Sequence, residues 1–124
     1  DPSEFTIKRQ GAKLVTPYTR LKRDSLATGL PALHLPQSSG AQLHNSRLIG
    51  RQPDRSIAQI YMANGRRITL IVTNGKVDGK RLKNQAGEGL RSKSWTQNGA
   101  TLVLMGDVDE GELERLSRLV VPMP

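Results

Sequence analysis

The chain has 124 residues, of which 35% are hydrophobic and 3% aromatic, contains no Cys and carries a formal net charge of +8. That length supports one domain with a single modest core, and the missing thiols exclude disulfides and thiolate metal sites without indicating a compartment. With Trp95, Tyr61, Tyr18 and Phe5 as its whole aromatic complement, the core is expected to be aliphatic, and cofactor stacking on aromatics is disfavoured.

The first residues, "DPSEF", lack a Met and read as the start of a piece excised from a longer protein, with a cloning remnant at its edge. No stretch approaches the roughly 18 apolar residues that a membrane span needs. Residues 1 to about 42 read as irregular, because Pro17, Pro31, Pro36 and the polar "QSSGAQ" interrupt any sustained apolar period. Residues 1–24 are therefore assigned to an irregular basic N-terminal segment and residues 25–124 to a single α+β domain. Within "RLKRDSLATGLPALHLP" the sequence predicts one helical turn, ended by Gly29 and the prolines that follow.

From Gln42 the pattern sharpens. "QLHNSRLIGRQ" predicts a strand leading into a turn at Pro53 and Asp54. "SIAQIYMANGRRITLIVTNG" holds two β-rich runs around Asn64 and Gly65, a dipeptide that accepts positive φ at both positions of a type I′ hairpin. A two-residue loop places Ala63 opposite Arg66, Tyr61 opposite Ile68, Gln59 opposite Leu70 and Ile57 opposite Val72. Those residues share one face, since side chains alternate along strands. The other face carries Ala58, Ile60, Met62, Arg67, Thr69 and Ile71, a mixed set expected to be half covered.

"TNGKVDGKRLKNQAGEGLRSK" reads as a long basic connection, with Val77 or Leu82 as its apolar touchpoint. Asn98 and Gly99 repeat the hairpin device, placing Trp95 opposite Leu102 and Lys93 opposite Leu104. The expected sheet is antiparallel, with about five strands. After it, "DVDEGELERLSRLV" predicts a helix packed across the sheet. Asp109 as N-cap puts Glu112 at the third helical position, the capping-box spacing, with Val108 and Leu113 as the hydrophobic staple. Leu113, Leu116, Leu119 and Val120 form an apolar stripe, and Pro122 ends it.

This helix start accounts for the acidic burst from Asp107 to Glu114 better than a catalytic carboxylate pair does, because every position fits its capping role. A small hydrolase using that cluster is thereby disfavoured. His34 and His44 have no spaced partner and read as satisfied or surface histidines. "GKVDGKR" lacks the spacing and the hydroxyl residue of a phosphate loop, Gly87-Glu88-Gly89 lacks a third glycine, and the serines lie in no nucleophile elbow. No catalytic, cofactor or metal residues are assigned.

The charge is unevenly placed. Residues 47 to 93 carry eleven Lys or Arg against three acids. Such a field attracts phosphate polymers and anionic surfaces, and Lys76, Lys80, Arg81, Lys83, Arg91 and Lys93 are the candidate contacts for an anionic partner. Solvated sheet faces would carry the same charges. Few aromatics interleave with them, which weighs against a single-strand nucleic-acid platform.

"IYMANGRRITLIV" followed by "SWTQNGATLVLMGDVDEGELERLSRLV" resembles the extracytoplasmic domains of transmembrane anti-sigma factors. The matching elements are Tyr61, the Gly65-Arg66 step, Thr69 and Leu70, then Trp95, Gly106-Asp107 and the closing helix with Glu112 and Leu113. Upstream, "LATGLPALHLPQ" and "LHNSRLIG" match the family's Gly-Leu and Arg-Leu segments, so the similarity spans roughly residues 25 to 120. The resemblance implies a periplasmic, non-catalytic sensory domain of an inner-membrane protein, with an envelope protein or a regulatory protease as partner. The sigma factor would be held by a cytoplasmic region absent here, and the membrane reached through a segment absent here. The competing expectation, drawn from charge alone, is a basic nucleic-acid-binding module.

Overall fold

The computed structural model describes residues 15–51, 54–74 and 90–124. The first element, helix α1 (Pro17–Thr28), is capped by Thr16, whose Oγ1 accepts the Thr19 N–H at 3.1 Å. Pro17 stands in the first turn, where its missing N–H leaves no bond unmade, and Gly29 closes the helix at φ 73. The irregular reading is thus corrected over residues 17–28, where the sequence predicts one turn and twelve residues are helical; its part before residue 15 lies outside the described residues. The physical reason lies in how α1 is held. Leu21 is its one fully buried apolar side chain, and Leu26 is 85% exposed, so no apolar stripe marks the helix in the sequence. Polar links fix it instead: Ser46 Oγ donates to Asp24 Oδ2 at 2.8 Å, and Arg20 Nη1 donates to Asn45 Oδ1 at 3.0 Å.

Strand β1 (Leu33–His34) and a 3₁₀ turn (Gln37–Ser39) follow, then β2 (Gln42–Ile49), β3 (Ser56–Ala63), β4 (Arg66–Thr73), β5 (Arg91–Gln97), β6 (Ala100–Gly106), helix α2 (Glu110–Leu119) and β7 (Val121–Pro122). Strands β2, β3, β4, β6 and β5, in that spatial order, make one antiparallel sheet. The domain is α+β, a five-stranded antiparallel sheet with a C-terminal helix, and β1 pairs separately with β7. The turn at Pro53 and the connection holding Val77 and Leu82 lie outside the described residues.

Across β3 and β4, Ala63 pairs with Arg66, Tyr61 with Ile68, Gln59 with Leu70 and Ile57 with Val72. Asn64 and Gly65 join the strands at φ 52 and 75, the left-handed values that let a two-residue loop follow the strand twist. Across β5 and β6, Trp95 pairs with Leu102 and Lys93 with Leu104, and Asn98 and Gly99 carry φ 52 and 77. Gly106, where β6 ends, has a different constraint. A Cβ there would lie 2.9 Å from Ile68 Cδ1 and 3.3 Å from the Arg67 carbonyl oxygen, so glycine permits the close approach of β6 to β4.

The main core lies on one face of the sheet. Tyr61, Ile68, Leu70, Leu102 and Leu104 are fully buried there beneath α1, α2 and the segment around β1, which contribute Leu21, Leu33, Leu35 and Leu116. Each such aliphatic side chain contributes roughly 1.5–3 kcal/mol through burial. On helix α2 the Asp109 side chain accepts the Glu112 N–H at 2.7 Å, and Leu113, Leu116 and Val120 face the sheet. The helix ends at Leu119, earlier than the stop expected at Pro122: Val120 is already extended, and Val121 and Pro122 form β7 in the small second sheet.

The opposite face of the large sheet is more enclosed than its mixed composition suggests. Ala58, Ile71, Val103 and Met105 form a second buried cluster, with Ile49 packed against it.

Candidate functional site

Three groupings of polar side chains stand out, and the first of them is buried. Gln59 and Tyr61 alternate onto the core face of β3. There the Gln59 Nε2 donates to the Leu33 carbonyl at 2.6 Å, the Tyr61 hydroxyl donates to Gln59 Oε1, and the Leu35 N–H donates to the Tyr61 oxygen at 3.0 Å. Every polar atom the pair presents is occupied, which is what a fully buried polar pair requires. Burial pushes the Tyr61 hydroxyl well above the ordinary tyrosine range, outweighing the Leu35 amide bond that favours its ionised form. A phenol so held is neutral at physiological pH and serves as a bracket, tying the β1 segment to the sheet.

The second grouping contains the acids of the closing helix. Asp107 accepts from Arg66, Asp109 caps the helix, Glu112 holds Arg115, and Glu114 pairs with both Lys93 and Arg118. Lys93, as the closest of these partners, holds the Glu114 carboxyl below the usual carboxylate range, with Arg118 adding to the effect. Of these contacts only the Glu114–Lys93 pair joins α2 to the sheet, while Glu112–Arg115 and Glu114–Arg118 run along the helix. Among the described residues no group of three or more His, Asp or Glu is placed to hold a metal ion.

The third grouping is concave and lies on the face away from the helices. A cavity of about 690 Å³ opens there, a volume in the range of small-molecule sites. Its floor is apolar, built by Ile49, Ala58, Ile60, Ile71 and Met105, with Leu90 at one side. Among the described residues its rim carries Arg47, Arg66 and Arg67 and a single acid, Asp107. Alternation along the strands explains the combination. Arg47 lies opposite Ala58, Ala58 opposite Ile71, Met62 opposite Arg67, and Thr69 opposite Met105, so all of these project from the same face. Arg66 Nη1 donates at 3.1 Å both to the Asp107 carbonyl oxygen and to its Oδ2. Arg47 and Arg67 are exposed and make no ion pair among the described residues. Beyond the Arg66–Asp107 bridge lies a shallower, polar concavity of about 480 Å³, reached by Arg91, Asp109 and Glu112.

The residues singled out from sequence are thereby distributed. Lys76, Lys80, Arg81 and Lys83 lie outside the described residues. Arg91 is exposed at the start of β5, on the polar concavity. Lys93 is half-buried and engaged by Glu114, so its charge is held within the fold. Trp95 is half-buried, with Nε1 donating to Gln97 Oε1 at 2.9 Å, and Gln97 Nε2 donates in turn to the Val120 carbonyl at 2.9 Å, which locks β5 to the end of α2. His34 is buried and donates from Nδ1 to the Val121 carbonyl at 2.9 Å, whereas His44 is exposed.

Sequence reasoning missed the arginine rim. The hairpin register already placed Arg67 on the face of Ile71 and Ala58, but it gave no sign that Arg47, from a different strand, stands beside them. No protein-family model, curated protein or solved structure matches the chain.

Proposed function

We propose that this chain is the periplasmic sensory and regulatory domain of a membrane-bound anti-sigma factor, a non-catalytic module that receives an envelope signal through a protein partner or controls access of a regulatory protease. One observation carries the reading. The residues on which the family resemblance rests form a continuous piece of the fold: Tyr61, Arg66, Thr69, Leu70, Trp95 and Gly106 lie on the adjoining strands β3, β4, β6 and β5, and Glu112 and Leu113 lie on the helix packed there. Asp107 closes the set through its bridge to Arg66. The upstream part of the resemblance joins it through the bonds of Gln59 and Tyr61 to Leu33 and Leu35. Asp109 caps α2, and Glu112 and Glu114 are taken up in ion pairs, consistent with a module that works by contact.

The test uses the intact gene product. Exchanging residues 15–124 for an unrelated periplasmic domain is expected to leave sigma-factor inhibition in place and to abolish its relief under envelope stress, read by a sigma-dependent reporter. An unchanged stress response, or an intact product with no membrane-spanning segment before residue 1, overturns the proposal.

The net charge of +8 favours a second reading, a basic nucleic-acid-binding module. It is separated by titrating a generic oligonucleotide across a salt series with the unmodified chain and with Lys80, Arg81 and Lys83 changed to Gln. A nucleic-acid module loses up to about three units of salt slope in the variant, close to one per phosphate contact. A sensory domain shows no binding at about 0.15 M salt, near physiological ionic strength.

A further inference from the structure

The arginine-rimmed cavity on the face away from the helices has two chemical halves. The floor offers Ile49, Ala58, Ile60, Ile71 and Met105, side chains that gain only from apolar contact. The rim offers two exposed guanidinium groups, Arg47 and Arg67, without ion pairs among the described residues, beside Arg66, whose Asp107 partner offsets one charge of the three. An inorganic anion would use the rim and leave the floor wet. A neutral hydrocarbon would use the floor and gain nothing from the arginines. A nucleic-acid strand would want aromatic faces for its bases, and no aromatic residue lines this cavity among the described residues.

We propose that this cavity binds a single-chain amphiphile with an anionic carboxylate head, a fatty acid, with the acyl chain along the Ile60–Ile71–Met105 floor and the head group on a rim arginine, Arg47 or Arg67, which stand opposite Ala58 and Met62 toward the two ends of that floor. Guanidinium groups suit this role because their planar fork meets a carboxylate through two parallel bonds. The strands that carry them are held by the sheet ladder, whereas their exposed side chains order only as the carboxylate binds. Arg66 remains with Asp107 and closes the end of the cavity toward the polar concavity, which confines the head group to the other two arginines. This chemistry is independent of the regulatory reading above, which stands or falls on the reporter experiment.

The test is calorimetric titration of the 124-residue chain with dodecanoate below its micelle threshold, beside dodecanol, acetate and inorganic phosphate. Dodecanoate is expected to bind, with dodecanol at least about tenfold weaker, the loss expected for one charge-assisted hydrogen bond, and with acetate and phosphate weaker still. Changing Arg47 and Arg67 together to Gln removes charge from exposed positions. It is expected to weaken dodecanoate at least about tenfold while thermal unfolding stays unchanged. Ile71→Asn supplies the complementary variant and is expected to weaken dodecanoate and dodecanol alike. Because Ile71 is buried, that variant is read only if its circular dichroism is native, and the arginine pair decides the outcome otherwise. Absence of dodecanoate binding, equal binding of dodecanol or of acetate, or full affinity in the double arginine variant would each overturn the assignment.

Discussion

Arg66 and Asp107 are 41 residues apart in sequence and joined by two hydrogen bonds of 3.1 Å from one guanidinium nitrogen. The pair ties the β3–β4 turn to the residue between β6 and α2, and it separates the apolar cavity from the polar concavity. Both side chains are largely exposed, at 57% and 75%, so solvent screens the attraction. Arg66→Ala is expected to lower stability by no more than about 1 kcal/mol. A double-mutant cycle with Asp107→Ala, read by denaturant unfolding, measures the coupling. A coupling well above that value would show that the pair is structurally central.

The start of α2 depends more heavily on one side chain. Asp109 accepts the Glu112 N–H at 2.7 Å, while the Glu112 carboxylate holds Arg115. Asp109→Ala is expected to cost about 1 kcal/mol, the usual loss for an N-cap, and Asp109→Asn should recover most of it because an amide oxygen also accepts. Thermal unfolding of the two variants makes the comparison, and equal stability of Ala and Asn would place the effect elsewhere.

At the two hairpin turns the constraint is conformational. Gly65 and Gly99 have φ 75 and 77, and a Cβ at either would meet nothing within 4 Å. Any penalty for a side chain there is strain in the left-handed region, without a clash. Gly65→Val and Gly99→Val are each expected to cost about 1–2 kcal/mol, and Gly65→Asn distinctly less, since Asn tolerates this region. Urea midpoints rank the three, and a Val variant as stable as the Asn variant would contradict the turn geometry.

The buried pair on β3 gives a pH-dependent signature. Tyr61→Phe keeps the ring in place but leaves the Leu35 N–H and Gln59 Oε1 without a partner, at an expected cost of about 1–3 kcal/mol. In the intact domain the Tyr61 hydroxyl is raised in the folded state. Its contribution is therefore fully present below the unfolded tyrosine value of about 10 and declines as pH rises beyond it, because the unfolded chain loses the proton first. Stability measured between pH 8 and pH 11, a window bracketing that value, should fall more steeply for the unmodified domain than for Tyr61→Phe. Parallel slopes would mean that the hydroxyl is not buried as described.

The sequence by itself determined the parts of this protein that are local. An Asn-Gly dipeptide between β-rich runs admits one short turn, and a two-residue loop sets the register of both strands, so the residues facing Tyr61 and Trp95 followed without tertiary information. The spacing of Val108, Asp109, Glu112 and Leu113 likewise marked where α2 begins, since capping is an affair of one helical turn. Only the tertiary structure decided that residues 17–28 are helical, because α1 is held by one leucine and by the bond between Asp24 and Ser46, a contact across 22 residues that leaves no periodic trace. Only it decided, too, that Arg47 and Arg67 share a rim over Ile71 and Met105. Alternation within a strand tells which side chains share that strand's face, but which strands lie side by side, β6 against β4 and β2 against β3, is set by burial of the whole sheet beneath its helices, and that is a property of the assembled core.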